Sequence, residues 1–169
     1  EYPLKEAAAH LVGYVQSVTA EDLEKHAGEG YSSDSVIGKS GMEGLYEKDL
    51  KGQDGIKISI ANEFGNEKKV LASIEKEDGK NIKLTIDSSL QLSLYEQFKD
   101  DKSASVAMDP YTGEVLALVS TPAYDNNDFI MGISQEKWKA LNEDEKKPLY
   151  NRFRQKWAPG LSLIHISEP

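Results

Sequence analysis

The sequence has 169 residues, of which 38% are hydrophobic and 29% are charged. This composition is typical of a soluble protein with one domain or two small ones. The 20 basic and 29 acidic residues give a formal charge of -9, which disfavours binding to nucleic acid or anionic lipid, because both need clustered Lys and Arg. The absence of cysteine excludes disulfides and cysteine-based metal sites.

The first elements predicted along the chain are a short strand and a short helix. The segment His10–Val15 has the apolar composition of a strand that Gly13 breaks. Thr19 fits an N-cap, with Asp22 as the third residue after it. A short helix is therefore predicted, ending near Gly28.

A second helix and a hairpin follow. Gly38–Gly55 predicts a helix, because its apolar residues recur at helical spacing and a late glycine supplies a stop. Ile56–Ile60 alternates apolar and polar residues, which indicates a half-buried strand, and Val70–Ile74 returns as its partner after a glycine-containing turn. The charged connector Glu75–Lys80 predicts a domain boundary near residue 80.

The next segment predicts a strand, a helix and a tight hairpin. Ile82–Ile86 indicates a strand, and Asp87 caps a helix that runs to about Phe98. Ser105–Met108 and Glu114–Ser120 indicate two strands joined by a Pro-containing and Gly-containing turn. The predicted fold class is α+β.

The strand residues Val115–Val119 are apolar on both faces, which predicts a central strand with cover on each side. Its partners are expected from sequence beyond this chain, and an unpaired apolar edge would favour aggregation. Trp138 and Leu141 indicate a short amphipathic helix that begins at Ser134 and ends before Pro148.

The tripeptide Gly38-Lys39-Ser40 matches the end of a phosphate-binding P-loop. The full pattern needs a glycine five residues before Gly38, where this sequence has Ser33. Its apolar strand is also missing from the residues just before. The three residues are better explained as the start of a helix than as a nucleotide site.

Asp125, Asn127 and Glu136 coincide with positions 1, 3 and 12 of an EF-hand calcium loop. Positions 5 and 6 are occupied by Phe129 and Ile130, although calcium loops need a ligand and a glycine there. We therefore expect a loop with Asx turns and no metal.

The histidines and the C-terminal serine are the other candidates for chemistry. His10, His26 and His165 lie on unrelated segments without metal-ligand spacing, and His10 is expected to be a packed structural histidine. Ser162 and His165 are three residues apart, but a serine nucleophile also needs an orienting acid and an oxyanion hole. A Ser-His hydrolase remains an alternative with little support.

Five stretches together carry a family resemblance, and they are YPLKEAAAHLVGYV, IGKSGMEGLYEKDLKGQDG, IKLTIDSSLQLSLYEQF, SVAMDPYTGEVLALVSTPAYDNNDF and KKPLYNRFRQKWAPG. They resemble class B penicillin-binding proteins, in the family's order, and the likeness is strongest to the low-affinity, methicillin-resistance-type branch of Gram-positive bacteria. The resemblance spans nearly all of residues 1–160.

The resemblance implies a domain organisation. Residues 1–80 are expected to be part of the pedestal, or dimerisation, domain, and residues 81–160 the N-terminal part of an antiparallel-sheet-plus-helices transpeptidase domain. A membrane helix would precede Glu1 and place the parent protein at the extracytoplasmic face of the cell membrane. The family's partners are peptidoglycan stem peptides and β-lactams, and it uses no cofactor or metal.

The family's catalytic step is acyl transfer by the serine of a Ser-x-x-Lys motif. In the family that serine directly follows Pro-Gly, but here Pro159-Gly160 is followed by Leu161, and Ser162 has His165 where lysine is needed. No catalytic residue can therefore be assigned. We expect residues 161–169 to be a foreign tail and the chain to be inactive. The alternative is a non-enzymatic module for self-association or for binding other cell-wall synthesis proteins.

Overall fold

The computed structural model describes residues 1–130 and 132–154. Seven α-helices, two short 3-10 helices (Lys5–Ala7 and Arg152–Arg154) and six strands lie in these ranges. The strands pair as three two-stranded antiparallel sheets, which makes the fold α+β as predicted. In chain order the elements are α1 (Ala9–Val12), β1 (Val15–Ser17), α2 (Ala20–Lys25), β2 (Val36–Gly38), α3 (Gly41–Leu45), α4 (Glu47–Leu50), β3 (Ile56–Ala61), β4 (Glu67–Ile74), α5 (Ser88–Phe98), β5 (Ser103–Met108), β6 (Val115–Thr121), α6 (Asn127–Ile130) and α7 (Gln135–Glu143).

The chain forms two compact units, and neither is continuous in sequence. The first unit contains Glu1–Tyr2, Leu11–Leu84 and Asp125–Ile133. The second contains Pro3–His10, Thr85–Tyr124 and the described residues from Ser134 onward. Within the described ranges, no helix is both long enough and apolar enough to cross a bilayer.

The predicted strand at His10–Val15 is wrong, because a helix occupies its first half. Ala7 and Ala8 precede this helix and Ala9 begins it; all three are buried and belong to the residue type with the highest helix propensity. Gly13 then ends the helix with φ +85°, and a Cβ at this position would lie 1.9 Å from the carbonyl oxygen of Ser40. The strand β1 begins only two residues later.

The N-cap predicted at Thr19 is confirmed. The Thr19 hydroxyl accepts a hydrogen bond from Asp22 N at 3.3 Å, and the Asp22 carboxylate accepts one from Thr19 N at 2.9 Å. This reciprocal pair is a capping box, which satisfies two backbone donors at the start of α2.

The helix predicted within Gly38–Gly55 is two short helices. Tyr46 interrupts it, with φ -106° and ψ 20°, and serves both as the end of α3 and as the start of α4. Glycines at positions 41 and 44 lower the helix propensity of α3. Gly52 follows α4 with φ +71°, as expected for a residue that stops a helix.

The hairpin of β3 and β4 is confirmed, but its predicted half-burial is wrong. Ile56 pairs with Ile74, and Ile58 pairs with Ala72. Every residue of both strands is exposed. The alternating sequence places Ile56, Ile58 and Ile60 on one face as expected, but alternation does not by itself supply an element that covers this face.

In the second unit, Asp87 caps α5 as predicted, because its Oδ1 accepts hydrogen bonds from Ser89 N and Leu90 N at 2.8 and 3.0 Å. The predicted strand at Ile82–Ile86 is absent. Its end contacts β6 without forming a ladder: the Thr85 hydroxyl donates to the Val115 carbonyl at 2.7 Å. This side-chain bond and one backbone bond, from Asp87 N to the Leu116 carbonyl at 2.8 Å, take the place of the repeated backbone bonds of a ladder.

The strands β5 and β6 form the hairpin that the turn residues predict, and β6 carries the core. Ala117 and Val119 are 0% and 1% exposed. The helix α5 packs against β6. Among the described residues, β5 is the one strand that pairs with β6, so the second strand neighbour predicted for β6 is absent from this part of the chain.

Candidate functional site

Gly38 and Lys39 of the Gly38-Lys39-Ser40 segment form hydrogen bonds within the first unit. The Gly38 N–H donates to Oε2 of Glu47 at 2.8 Å, and the Lys39 ammonium donates to both carboxylate oxygens of Asp22 at 2.6 Å. Hydrogen bonds from Lys39 and Thr19 hold the pKa of Asp22 well below its usual range. The donors that a phosphate would need are therefore engaged by carboxylates of the same unit. Ser40 is the N-cap residue of α3, so the expected start of a helix is confirmed.

Asp125 and Asn127 form the predicted Asx turn. Oδ1 of Asp125 accepts hydrogen bonds from the backbone and side-chain amides of Asn127, both at 2.9 Å. The Asn127 carboxamide also pairs with the backbone of Tyr2, accepting from its N–H at 2.8 Å and donating to its carbonyl at 3.0 Å. Glu136 lies in the first turn of α7, in the second unit.

His10 is a packed structural histidine, as predicted. It is 7% exposed, and its ring meets the ring of Tyr124 edge-on at 5.1 Å. Burial lowers the pKa of His10 to about 4, although its hydrogen bonds to backbone carbonyls oppose this shift. The imidazole is therefore neutral at pH 7, and its Nε2–H donates to the Pro148 carbonyl at 2.9 Å.

The remaining candidates do not converge. His26 contacts Glu29 at 2.8 Å on the exposed surface of the first unit. Ser162 and His165 lie outside the described residues. In the ranges 1–130 and 132–154, no group of three or more His, Asp or Glu side chains is arranged to hold a metal ion.

A cavity of about 490 Å³ lies in the first unit, beside β2 and α4. Its lining combines four carboxylates with one lysine, two serines and three apolar residues, and these are Asp34, Glu43, Glu47, Asp54, Lys51, Ser32, Ser35, Val15, Val36 and Leu50. Such a lining is polar and predominantly acidic. The chemistry of the cavity therefore depends on whether its carboxylates are already hydrogen-bonded to other groups of the protein.

The carboxylate of Glu47 is fully engaged within the unit. Its Oε2 accepts from Gly38 N and its Oε1 accepts from the hydroxyl of Tyr31, each at 2.8 Å. Burial and this bond raise the pKa of Tyr31. The ammonium of Lys51 lies 3.3 Å from the centre of the Tyr31 ring. These contacts attach β2 to α4, which indicates a structural role for Glu47.

Glu43 is the carboxylate of the cavity with the most perturbed environment. It is partly buried, and burial raises its pKa, while a hydrogen bond from the Tyr2 hydroxyl at 3.3 Å opposes this effect. The negative charge of Glu47 also raises the pKa of Glu43. A raised carboxyl pKa is a common feature of acid–base sites. However, no histidine is among the residues that line this cavity, and the hydroxyls of its two serines, Ser32 and Ser35, hydrogen-bond to each other at 3.1 Å.

Sequence reasoning missed Gln91, which is 0% exposed and is the largest fully buried side chain among the described residues. Its carboxamide accepts a hydrogen bond from Leu118 N at 2.8 Å and donates to the Leu118 carbonyl at 2.9 Å. It also donates to the Ala7 carbonyl at 2.7 Å. The signal was present in the sequence: Gln91 shares its helical spacing with Leu94 and Phe98, so it is a polar residue at an apolar position of α5.

Comparison with known proteins identifies the family. Residues 1–84 match the model of the penicillin-binding protein dimerisation domain. Penicillin-binding protein 3 of Bacillus subtilis is 44% identical over 98% of this chain, which corresponds to 24% of that relative. The peptidoglycan D,D-transpeptidase MrdA of Escherichia coli K12 is 38% identical over 96% of this chain and 26% of that relative.

Residues 1–84 belong to the penicillin-binding protein dimerisation-domain family, and the chain as a whole is similar to penicillin-binding proteins. The resemblance to class B penicillin-binding proteins inferred from the five sequence stretches is thus confirmed. The chain spans about a quarter of the length of the curated relatives it matches. Membership of the methicillin-resistance-type branch and a Gram-positive source stay predictions, since the relatives come from both Bacillus subtilis and Escherichia coli.

Solved structures of penicillin-binding proteins share the fold. A complex between penicillin-binding protein PBP2 and MreC from Helicobacter pylori matches with a TM-score of 0.82 and 36% identity, covering 90% of this chain and 28% of that one. PBP2 of Pseudomonas aeruginosa, in complex with WCK 5153, matches with a TM-score of 0.70 and 38% identity over 90% of this chain and 30% of that one. The family fold therefore extends over most of this chain.

Proposed function

We propose that this chain is part of a peptidoglycan D,D-transpeptidase and that it has no acyl-transfer activity by itself. The observation that carries this proposal is the extent of the identity to MrdA, which covers 96% of the chain. The whole protein would act on peptidoglycan stem peptides, would be acylated by β-lactams, and would work at the extracytoplasmic face of the cell membrane. No residue of this chain is assigned a catalytic role.

In this proposal, residues 1–80 contribute to the pedestal and residues 81–160 begin the transpeptidase domain. The match of residues 1–84 to the dimerisation-domain family supports the first assignment. The second is supported by the collection of α5, β5, β6 and α7 in one compact unit. Residues 161–169 are proposed as a foreign tail, which sequencing of the source locus past the Gly160 codon would test.

Labelling with a fluorescent penicillin tests this function. The 169-residue chain and the longer product of its source locus are each incubated with the probe, with and without excess unlabelled penicillin. We expect a competed covalent adduct on the longer product and none on the 169-residue chain. An adduct on the short chain would contradict its inactivity, and the lack of one on the longer product would contradict the transpeptidase assignment.

A second candidate function is protein association through the first unit. Two observations favour it: the family of residues 1–84 is described as a dimerisation domain, and β3 presents exposed Ile56, Ile58 and Ile60 on one face. The Helicobacter pylori relative is known in complex with MreC, so a cell-wall synthesis protein is the alternative to a second copy. Sedimentation of the full chain over a range of concentrations distinguishes self-association from a stable monomer.

A further inference from the structure

The outer edge of β6 is occupied by side-chain and loop groups of the second unit. Leu116 and Leu118 are two residues apart, so their backbone groups point to the same side of the strand. The Leu116 carbonyl accepts from Asp87 N at 2.8 Å. At Leu118, the Gln91 carboxamide bonds both the N–H and the carbonyl.

The Gln91 carboxamide reproduces what a neighbouring strand would offer at this position. An opposing residue in a ladder supplies one acceptor and one donor, and Oε1 and Nε2 of Gln91 supply the same two groups at 2.8 and 2.9 Å. The second N–H of Nε2 donates to the Ala7 carbonyl. Both donors of the amide are thus satisfied without water, which is the condition for burying a carboxamide at low cost.

We propose that the Gln91 carboxamide is a strand substitute that closes the outer edge of β6 against pairing with β6 of a second copy of this chain. The strand it protects is rich in Val, Leu and Ala and carries no charge from Val115 to Thr121. Such a strand with an open edge is a template for edge-to-edge association. This role does not depend on the proposed transpeptidase function.

Substitution of Gln91 by leucine tests the proposal in the full 169-residue chain. Leucine fills similar space but bonds neither group of Leu118. We expect the Leu118 amide to exchange its hydrogen about tenfold faster, as the loss of a hydrogen bond of about 1.4 kcal/mol implies, and we expect concentration-dependent association in sedimentation. The control is Gln97→Leu, the same change at an exposed position of the same helix, which should alter neither quantity.

A Gln91→Glu variant separates hydrogen bonding from packing. At pH 7 the carboxylate lacks the donor for the Leu118 carbonyl, whereas the protonated acid at about pH 4 both donates and accepts. Protection of the Leu118 amide and the monomeric state should therefore return as the pH falls. The unsubstituted chain at each pH corrects for titration of other groups, such as Glu6 and Asp87.

Three outcomes would overturn the proposal: a monomeric Gln91→Leu variant with unchanged exchange at Leu118, association of the Gln97→Leu control to the same extent, or a Gln91→Glu variant that shows no recovery at low pH. If Gln91→Leu fails to fold, circular dichroism reveals this. The pH dependence of Gln91→Glu then decides alone, because the comparison is made within one protein.

Discussion

The two long hairpins of this chain share a topology and differ in burial. In the hairpin of β3 and β4, every residue is exposed, and Ile58 and Ile74 are 55% and 66% exposed. In the hairpin of β5 and β6, Ala117 and Val119 are buried. Both pairs are antiparallel, both contain a register shift, and both turn at a glycine with positive φ.

The difference in burial between the hairpins comes from the helix that packs against β6 and from the hydrogen bonds that this helix makes to the edge of β6. The strand β6 has α5 packed against it, and Gln91 from that helix bonds the backbone of Leu118. An isolated two-stranded hairpin is marginally stable in water, and a packed helix is one of the additions that stabilise it. A run of β-forming residues therefore specifies a strand, while burial depends on an element elsewhere in the sequence.

Replacing a valine by alanine should give the largest difference between the hairpins in the free energy of unfolding. Val119→Ala should lower the local free energy of unfolding by roughly 2 kcal/mol, because Val119 is 1% exposed and its loss leaves a cavity. The matched change Val70→Ala, at a residue that is 40% exposed, should stay within about 0.5 kcal/mol. Hydrogen exchange of the strand amides measures both values. Equal costs would mean that β4 is covered in solution.

Replacement of the glycine in either hairpin turn by alanine should lower the free energy of unfolding by the same, intermediate amount. Gly65 and Gly113 have φ of +78° and +77°, and a Cβ at either position would meet no atom within 4 Å. Alanine at each should therefore cost about 1 kcal/mol for the left-handed backbone alone, as measured by exchange of the flanking strand amides. A difference between them of more than about 1 kcal/mol would show that the turns differ in more than backbone strain.

The smallest effect on stability is expected at the isoleucine face of β3. Ile58→Thr keeps a β-branched side chain at an exposed position, so the free energy of unfolding should change by less than about 0.5 kcal/mol. The fluorescence of a hydrophobic dye should nevertheless decrease, because the exposed apolar area becomes smaller. Unchanged dye binding would indicate that this face is not the main apolar surface of the chain.

Local signals in the sequence predicted the caps and turns correctly. The capping pair of Thr19 and Asp22, the cap at Asp87 and the two hairpins depend on residues close in sequence, so their chemistry is visible locally. The strand prediction for His10–Val15 is wrong because a short apolar run fits a strand or a helix equally well and tertiary contacts decide between them. Ile82–Ile86 has the composition of a strand, but it forms neither a strand nor a helix.

The buried polar contacts could not be predicted in detail. Gln91 is hydrogen-bonded to Ala7 and Leu118, which are separated from it in sequence by 84 and 27 positions. Asn127 is hydrogen-bonded to Tyr2, which is 125 positions away. A polar residue at an apolar helical position indicates that a partner exists, but it does not identify that partner. The engagement of Gly38 and Lys39 by carboxylates is likewise visible only once the chain is folded.

The pairing of Tyr2 with Asn127 has a consequence for folding during synthesis. Together with the stacking of Tyr14 on Phe129 at 4.3 Å, it makes α6 part of the first unit, although the matched family domain ends at residue 84. Tyr2 can therefore make this contact only after a segment more than a hundred residues later has been synthesised. Because domains generally fold as units during translation, the first unit should complete its core only after most of the second unit has been synthesised.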